Sequence, residues 1–126
     1  MGYRSDVRIR TTKKGYEVMK KFVENYIKEN INEEKLKSYD YNLLNSAIKT
    51  EMSGIITLDW NCMKWYEGEI GYKDVTAIMK SLDELSNKNI DYQYMRIGEE
   101  NDDIEEKCSI NNNSFTCFYI SRNFEG

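Results

Sequence analysis

Apolar and polar residues alternate between positions 3 and 10, with Val7 and Ile9 on one side and Asp6, Arg8 and Arg10 on the other. A period of two predicts a half-buried strand. After Thr12, a candidate N-cap, Tyr16, Met19, Phe22, Val23, Tyr26 and Ile27 recur every three or four residues and predict an amphipathic helix. Its other face, with Lys13, Lys14, Lys20, Lys21, Glu24 and Lys28, reads as a solvated surface or as a basic docking surface.

From Asn32, the spacing of Leu36, Leu43, Leu44, Ala47 and Ile48 predicts a second helix, broken near Asp40. A strand follows Gly54, with Ile56, Leu58 and Trp60 facing one way and Ile55, Thr57 and Asp59 the other. Asn61 and Cys62 predict a tight turn into a further strand, Met63-Lys64-Trp65-Tyr66. Beyond a glycine-containing loop, Val75, Ile78, Met79, Leu82 and Leu85 mark another helix that ends near Asn87. Residues 90–97 are rich in aromatic and β-branched side chains and predict a strand.

An acidic turn from Gly98 to Asp103 then leads into a C-terminal hairpin. One arm carries Ile104, Cys108 and Ile110, the other Phe115, Cys117 and Tyr119, around a turn at Asn111 to Ser114. A two-residue turn there would set Cys108 opposite Cys117. The predicted fold is α+β: an antiparallel sheet with two main helices on one face, a ferredoxin-like β-α-β-β-α-β core plus the C-terminal β-hairpin. Residues 1–126 are expected to form one domain.

Composition agrees with a folded domain, since 40% of the residues are apolar and 32% charged, too many core formers for disorder. No run approaches the roughly 18 apolar residues of a membrane span, and the N-terminal residues lack a signal-peptide core. The expectation is a cytoplasmic protein with no membrane partner. Three cysteines without a CxxC pair fit a reducing compartment and are expected to be thiols. Abundant Lys, Asn, Ile and Glu and the absence of proline match an AT-rich bacterial or phage genome.

The net charge of −4 is unevenly spread. Residues 1–28 hold eight Lys or Arg against three acids, whereas residues 99–106 hold six acids and no base. An acidic chain is repelled by phosphate backbones, so direct nucleic-acid binding is not expected.

The chain has no histidine, which removes the common general base, the Ser-His and Cys-His nucleophile pairs and the usual zinc ligand. Neither a P-loop nor a GxGxxG pattern is present. No catalytic residue, cofactor or metal site is therefore expected; carboxylate chemistry with a divalent metal stands as the last-ranked reading. The acidic group Glu99, Glu100, Asp102, Asp103, Glu105 and Glu106 lacks EF-hand spacing. It reads as a solvated turn or as a docking surface for a basic partner. Trp60 alternates with Ile56 and Leu58 and should be core, whereas Trp65 and Tyr66 must point to opposite faces of a strand, leaving one exposed as an interface residue.

Several blocks carry a resemblance: Met1-Gly2-Tyr3-Arg4-Ser5-Asp6-Val7, Lys64-Trp65-Tyr66, Arg96-Ile97-Gly98-Glu99 with Asp102-Asp103-Ile104-Glu105-Glu106, and Tyr119-Ile120-Ser121-Arg122. Together they are similar to a group of small phage and prophage proteins that open with MGYRSDV. The resemblance implies a phage origin and a bacterial host, and transfers no activity. Small phage proteins without catalytic residues are by association often anti-defence factors. The leading expectation is a non-enzymatic, anti-CRISPR-like inhibitor of a host nuclease or ribonucleoprotein, bound through Trp65, Tyr66 and the six acids. The alternative is a sponge for a small nucleotide signal, with Arg96, Arg122 or the N-terminal arginines on phosphates. A homodimer is also among the expected partners, because an open sheet face or a strand edge can pair with its copy.

Overall fold

The computed structural model describes residues 4–38, 41–63, 65, 73–99 and 103–110. Strand β1 (Ser5–Thr12) leads into helix α1 (Lys13–Asn30), short helix α2 (Glu33–Ser38), a 3-10 turn (Leu43–Asn45) and strands β2 (Ile48–Met52) and β3 (Ile55–Met63). Helix α3 (Lys73–Asn87) and strands β4 (Tyr92–Gly98) and β5 (Ile104–Ser109) complete it. Among the described residues the sheet is five-stranded, in the order β2-β3-β1-β4-β5, and each adjacent pair is antiparallel.

Local chemistry explains the helix ends. Thr12 caps α1 by accepting the Gly15 N–H at 3.1 Å. Helix α3 ends in a Schellman motif, in which Ile90 N–H donates to Leu85 O and Asn89 N–H to Ser86 O, with Asn89 in the left-handed region at φ 57°. Buried Ile90 and Leu85 supply the apolar contact that usually accompanies such a cap.

Helices α1 and α3 pack on each other and on the sheet. Met19, Val23 and Ile27 of α1 and Val75, Ile78, Leu82 and Leu85 of α3 share a core with Val7, Ile9, Ile56, Leu58, Trp60 and Tyr94. The apolar periodicities thus translate directly into the buried stripes of both helices. Gly15 permits a close approach: a Cβ there would overlap Thr11 Oγ1 and lie 3.0 Å from Ile90 Cγ2.

The predicted second helix is corrected. Its α2 part survives, but Leu43 and Leu44 form only a 3-10 turn, and Ile48 opens a strand. Side-chain hydrogen bonds shape this turn. Asn42 Oδ1 caps the turn by accepting Leu44 N–H at 3.1 Å. The Leu43 carbonyl accepts the Ser46 and Ala47 N–H groups at 3.2 and 3.1 Å and also the Ser46 hydroxyl at 3.1 Å and the Trp60 indole N–H at 2.9 Å, which ties the turn to the core. Ser53 and Gly54, with φ of 53° and 82°, make the two-residue loop that pairs Met52 with Ile55. Two successive positive φ values are the signature of a type I′ hairpin turn.

The predicted turn at Asn61 and Cys62 is also corrected, to a β-bulge inside one long strand. Ser5 pairs with Met63 and Val7 with Trp60, so two β3 residues oppose Asp6 alone. Cys62 takes φ 56°; its N–H is held by Asp6 Oδ1 at 2.8 Å and its carbonyl by Arg4 Nη1 at 2.9 Å. Trp65 lies beyond β3 rather than in a further strand.

The α+β class and the antiparallel sheet with its packed helix pair stand, but the arrangement is not a standard ferredoxin-like topology. The departure within the core is the crossover from α1 to β2, which α2 and the 3-10 turn occupy; β5 adds to the sheet beyond β4. The inner arm of the expected C-terminal hairpin is β5, paired with β4; its outer arm and the Cys117 register lie outside the described residues. The expectation of three thiols fails at Cys108, which is disulfide-bonded, while Cys62 is an exposed free thiol.

Candidate functional site at the acidic end of β4 and β5

Strands β1, β4 and β5 bring Val7, Arg96 and Glu105 into register across the sheet. Cross-strand partners share a face, so Arg96 and Glu105 project to the side of the sheet that carries the core. There Arg96 makes a forked pair with Asp103, Nη2 to Oδ1 at 2.8 Å and Nη1 to Oδ2 at 3.1 Å. Its Nη1 also donates to Ser5 Oγ at 3.0 Å, and its Nε lies 3.7 Å from Glu105 Oε1. The Tyr94 hydroxyl donates to that same Glu105 oxygen at 2.8 Å.

The forked geometry matches the planar guanidinium to a carboxylate. The Asp103 hydrogen bond raises the Arg96 pKa; partial burial opposes it, and the charges of Asp103, Tyr94 and Glu105 reinforce it. The turn between β4 and β5 is closed by the Gly98 N–H, which donates to Asp103 O at 2.8 Å. One guanidinium therefore organises two carboxylates, and the cluster keeps an acidic excess.

The expected acidic surface divides accordingly. Asp103 and Glu105 are half-buried around Arg96, Glu106 is exposed and projects from the opposite face as the partner of Met95, and Glu99 is exposed in the turn. Glu100 and Asp102 lie outside the described residues, as does Tyr66. Trp65 is corrected from a candidate exposed aromatic to a buried one: it is 7% exposed and packs on Trp60 with ring centroids 5.3 Å apart. Its area is spent on the core and not on a surface. Ser5 and Tyr94 were missed by the sequence reading; only the strand register, which pairs Ser5 with Gly98 and Tyr94 with Lys107, brings them to Arg96.

The other sheet face carries a second polar row. Arg8 Nε pairs with Asp59 Oδ1 at 2.7 Å, and Arg10 Nη1 donates to Gln93 Oε1 at 3.1 Å. Burial, followed by the neighbouring Arg8 charge, lowers the Arg10 pKa. Among the described residues, no group of three or more Cys, Asp or Glu side chains could hold a metal ion. No helix among them is long and apolar enough to cross a membrane.

Comparison with protein-family models, curated proteins and solved structures gives no match.

Proposed function

We propose that the protein is a non-enzymatic binding protein of phage origin, acting in a bacterial host. It would inhibit a host defence protein, in the manner of an anti-CRISPR, by occupying a basic surface that normally grips nucleic acid. The carrying observation is the acidic end of β4 and β5, where the Asp103 and Glu105 carboxylates gather around Arg96, with Glu99 exposed in the turn and Glu106 exposed on the opposite sheet face. A concentration of carboxylates at one end of the sheet offers a phosphate-binding protein the charge it is built to hold. No residue performs chemistry in this reading.

The nucleotide-sponge alternative needs arginines to grip phosphate, and the described arginines are engaged elsewhere. Arg4 donates to Cys62 O, Arg8 pairs with Asp59, Arg10 donates to Gln93 and Arg96 is forked on Asp103. That distribution favours the protein-binding reading.

The test is a double charge reversal, Glu99→Lys with Glu106→Lys, assayed for protection of phage in a host carrying nuclease-based defences. Loss of protection, with Lys107→Glu retaining it, supports the proposal. Unchanged protection by the doubly reversed variant removes the acidic end from consideration as the docking surface.

A further inference from the structure

Among the described residues strand β2 ends the sheet order, and all five of its residues, Ile48 to Met52, are exposed. Two of them are large hydrophobics left in solvent, Ile48 at 56% and Met52 at 80% exposure. Open strand edges are normally blunted by proline, a bulge or a standing charge. Here the chain has no proline, and the β2–β3 register runs without a bulge from Ile48 opposite Asp59 to Met52 opposite Ile55. The one lysine of the strand does not stand guard, because Lys49 Nζ lies over the Tyr16 ring at 4.8 Å from its centroid.

The sequence Ile48-Lys49-Thr50-Glu51-Met52 is complementary to itself when reversed. Antiparallel pairing of two copies about a two-fold axis at Thr50 sets Lys49 opposite the other copy's Glu51, and Ile48 opposite its Met52. Both charge pairs then lie on the helix side of the sheet, and both apolar pairs on the opposite side, because residues alternate faces along a strand. The main-chain geometry permits this register. In a two-residue hairpin the residues flanking the loop, here Met52 and Ile55, form a hydrogen-bonded pair. By alternation, Met52, Thr50 and Ile48 turn their backbone groups toward β3, and Lys49 and Glu51 turn theirs outward. Those two residues are the ones that meet across the axis.

We infer that β2 is a homodimer interface: two copies of this chain join edge to edge through β2, continuing the sheet across a two-fold axis. Glu51 already pairs with Lys13 of α1 at 2.8 Å, and both side chains are largely exposed, so the carboxylate can serve a second cation across the axis. Matched cross-strand charges and apolar pairs select this partner over an arbitrary strand. The inference is independent of the acidic end of β4 and β5.

The test uses sedimentation velocity on the full chain from about 1 µM to 1 mM, a span suited to a small interface. The wild type should show a concentration-dependent dimer. Lys49→Glu alone and Glu51→Lys alone each place like charges opposite one another and should weaken the dimer by about tenfold or more. An equimolar mixture of the two variants should restore dimerisation as a heterodimer, and so should the doubly swapped chain. Met52→Glu, at a position open to solvent, should also weaken it, with circular dichroism matching the wild type. A monomer throughout the range, a dimer indifferent to both reversals, or a mixture that fails to recover would each overturn the inference.

Discussion

Arg96 and Asp103 are joined by two hydrogen bonds, of 2.8 and 3.1 Å, across the turn between β4 and β5. The pair ties the end of one strand to the start of the next while presenting acidic neighbours to solvent. Arg96→Met should lower stability by about 1–3 kcal/mol in urea unfolding, the usual range for lost charged hydrogen bonds. Arg96→Lys should recover little, since an ammonium cannot reproduce the fork. A lysine variant as stable as the wild type would show that charge alone matters.

Gly15→Ala should destabilise the protein although alanine is the better helix former. The propensity gain is at most about 1 kcal/mol. Against it, the new methyl would displace Thr11, whose hydroxyl donates to Asp91 O at 2.8 Å in the buried junction between β1 and α1. A net loss of about 1–3 kcal/mol is expected from such overpacking. A raised melting temperature would contradict the close approach.

Ser53→Asn should stabilise the β2–β3 hairpin, because asparagine tolerates the left-handed conformation that Ser53 holds at φ 53° better than serine does. The expected gain is about 0.5 kcal/mol, read as a higher urea midpoint with an unchanged slope.

Much of the architecture was legible because burial enforces periodicity. Val7 and Ile9 in β1, Met19, Val23 and Ile27 in α1, and Ile56, Leu58 and Trp60 in β3 occupy the buried positions that their spacing assigned. Strand β2 was not legible for the converse reason: all five residues are exposed, so no alternation marks them, and Ala47-Ile48 instead continues the helical spacing of Leu43 and Leu44. The Ser53-Gly54 dipeptide was the available signal. At Asn61-Cys62 the local chemistry correctly marked a backbone irregularity, but a bulge and a hairpin draw on the same residue types. The acidic site was half visible. Its charge stood out, whereas its division between the two sheet faces depends on register, which no single strand reveals.

Alkaline pH should destabilise the fold partly through Tyr92, whose phenol is raised above its ordinary value by burial and secondarily by the Asp83 charge. The folded protein then keeps this proton to higher pH than the unfolded chain. Its contribution is intact below about pH 10 and is lost as pH climbs from there through the folded value. Tyr92→Phe should show a shallower loss of melting temperature above pH 10 than the wild type. Parallel profiles would contradict this assignment.

Thiol labelling separates the cysteines. Cys62, exposed and free, should react in the folded protein, whereas Cys108 should react only after reduction. Labelling of Cys108 in unreduced protein would contradict the disulfide.

The central claim, a protein-binding domain with an acidic docking end, is tested most directly by affinity capture of the intact protein from a host carrying its defence systems, with proteins and nucleotides both identified by mass spectrometry. The account predicts a stoichiometric nucleic-acid-handling protein that is released as salt rises and is absent when Glu99 and Glu106 are reversed to lysine. A bound nucleotide with no protein partner, or a partner held equally by the reversed variant, would contradict it.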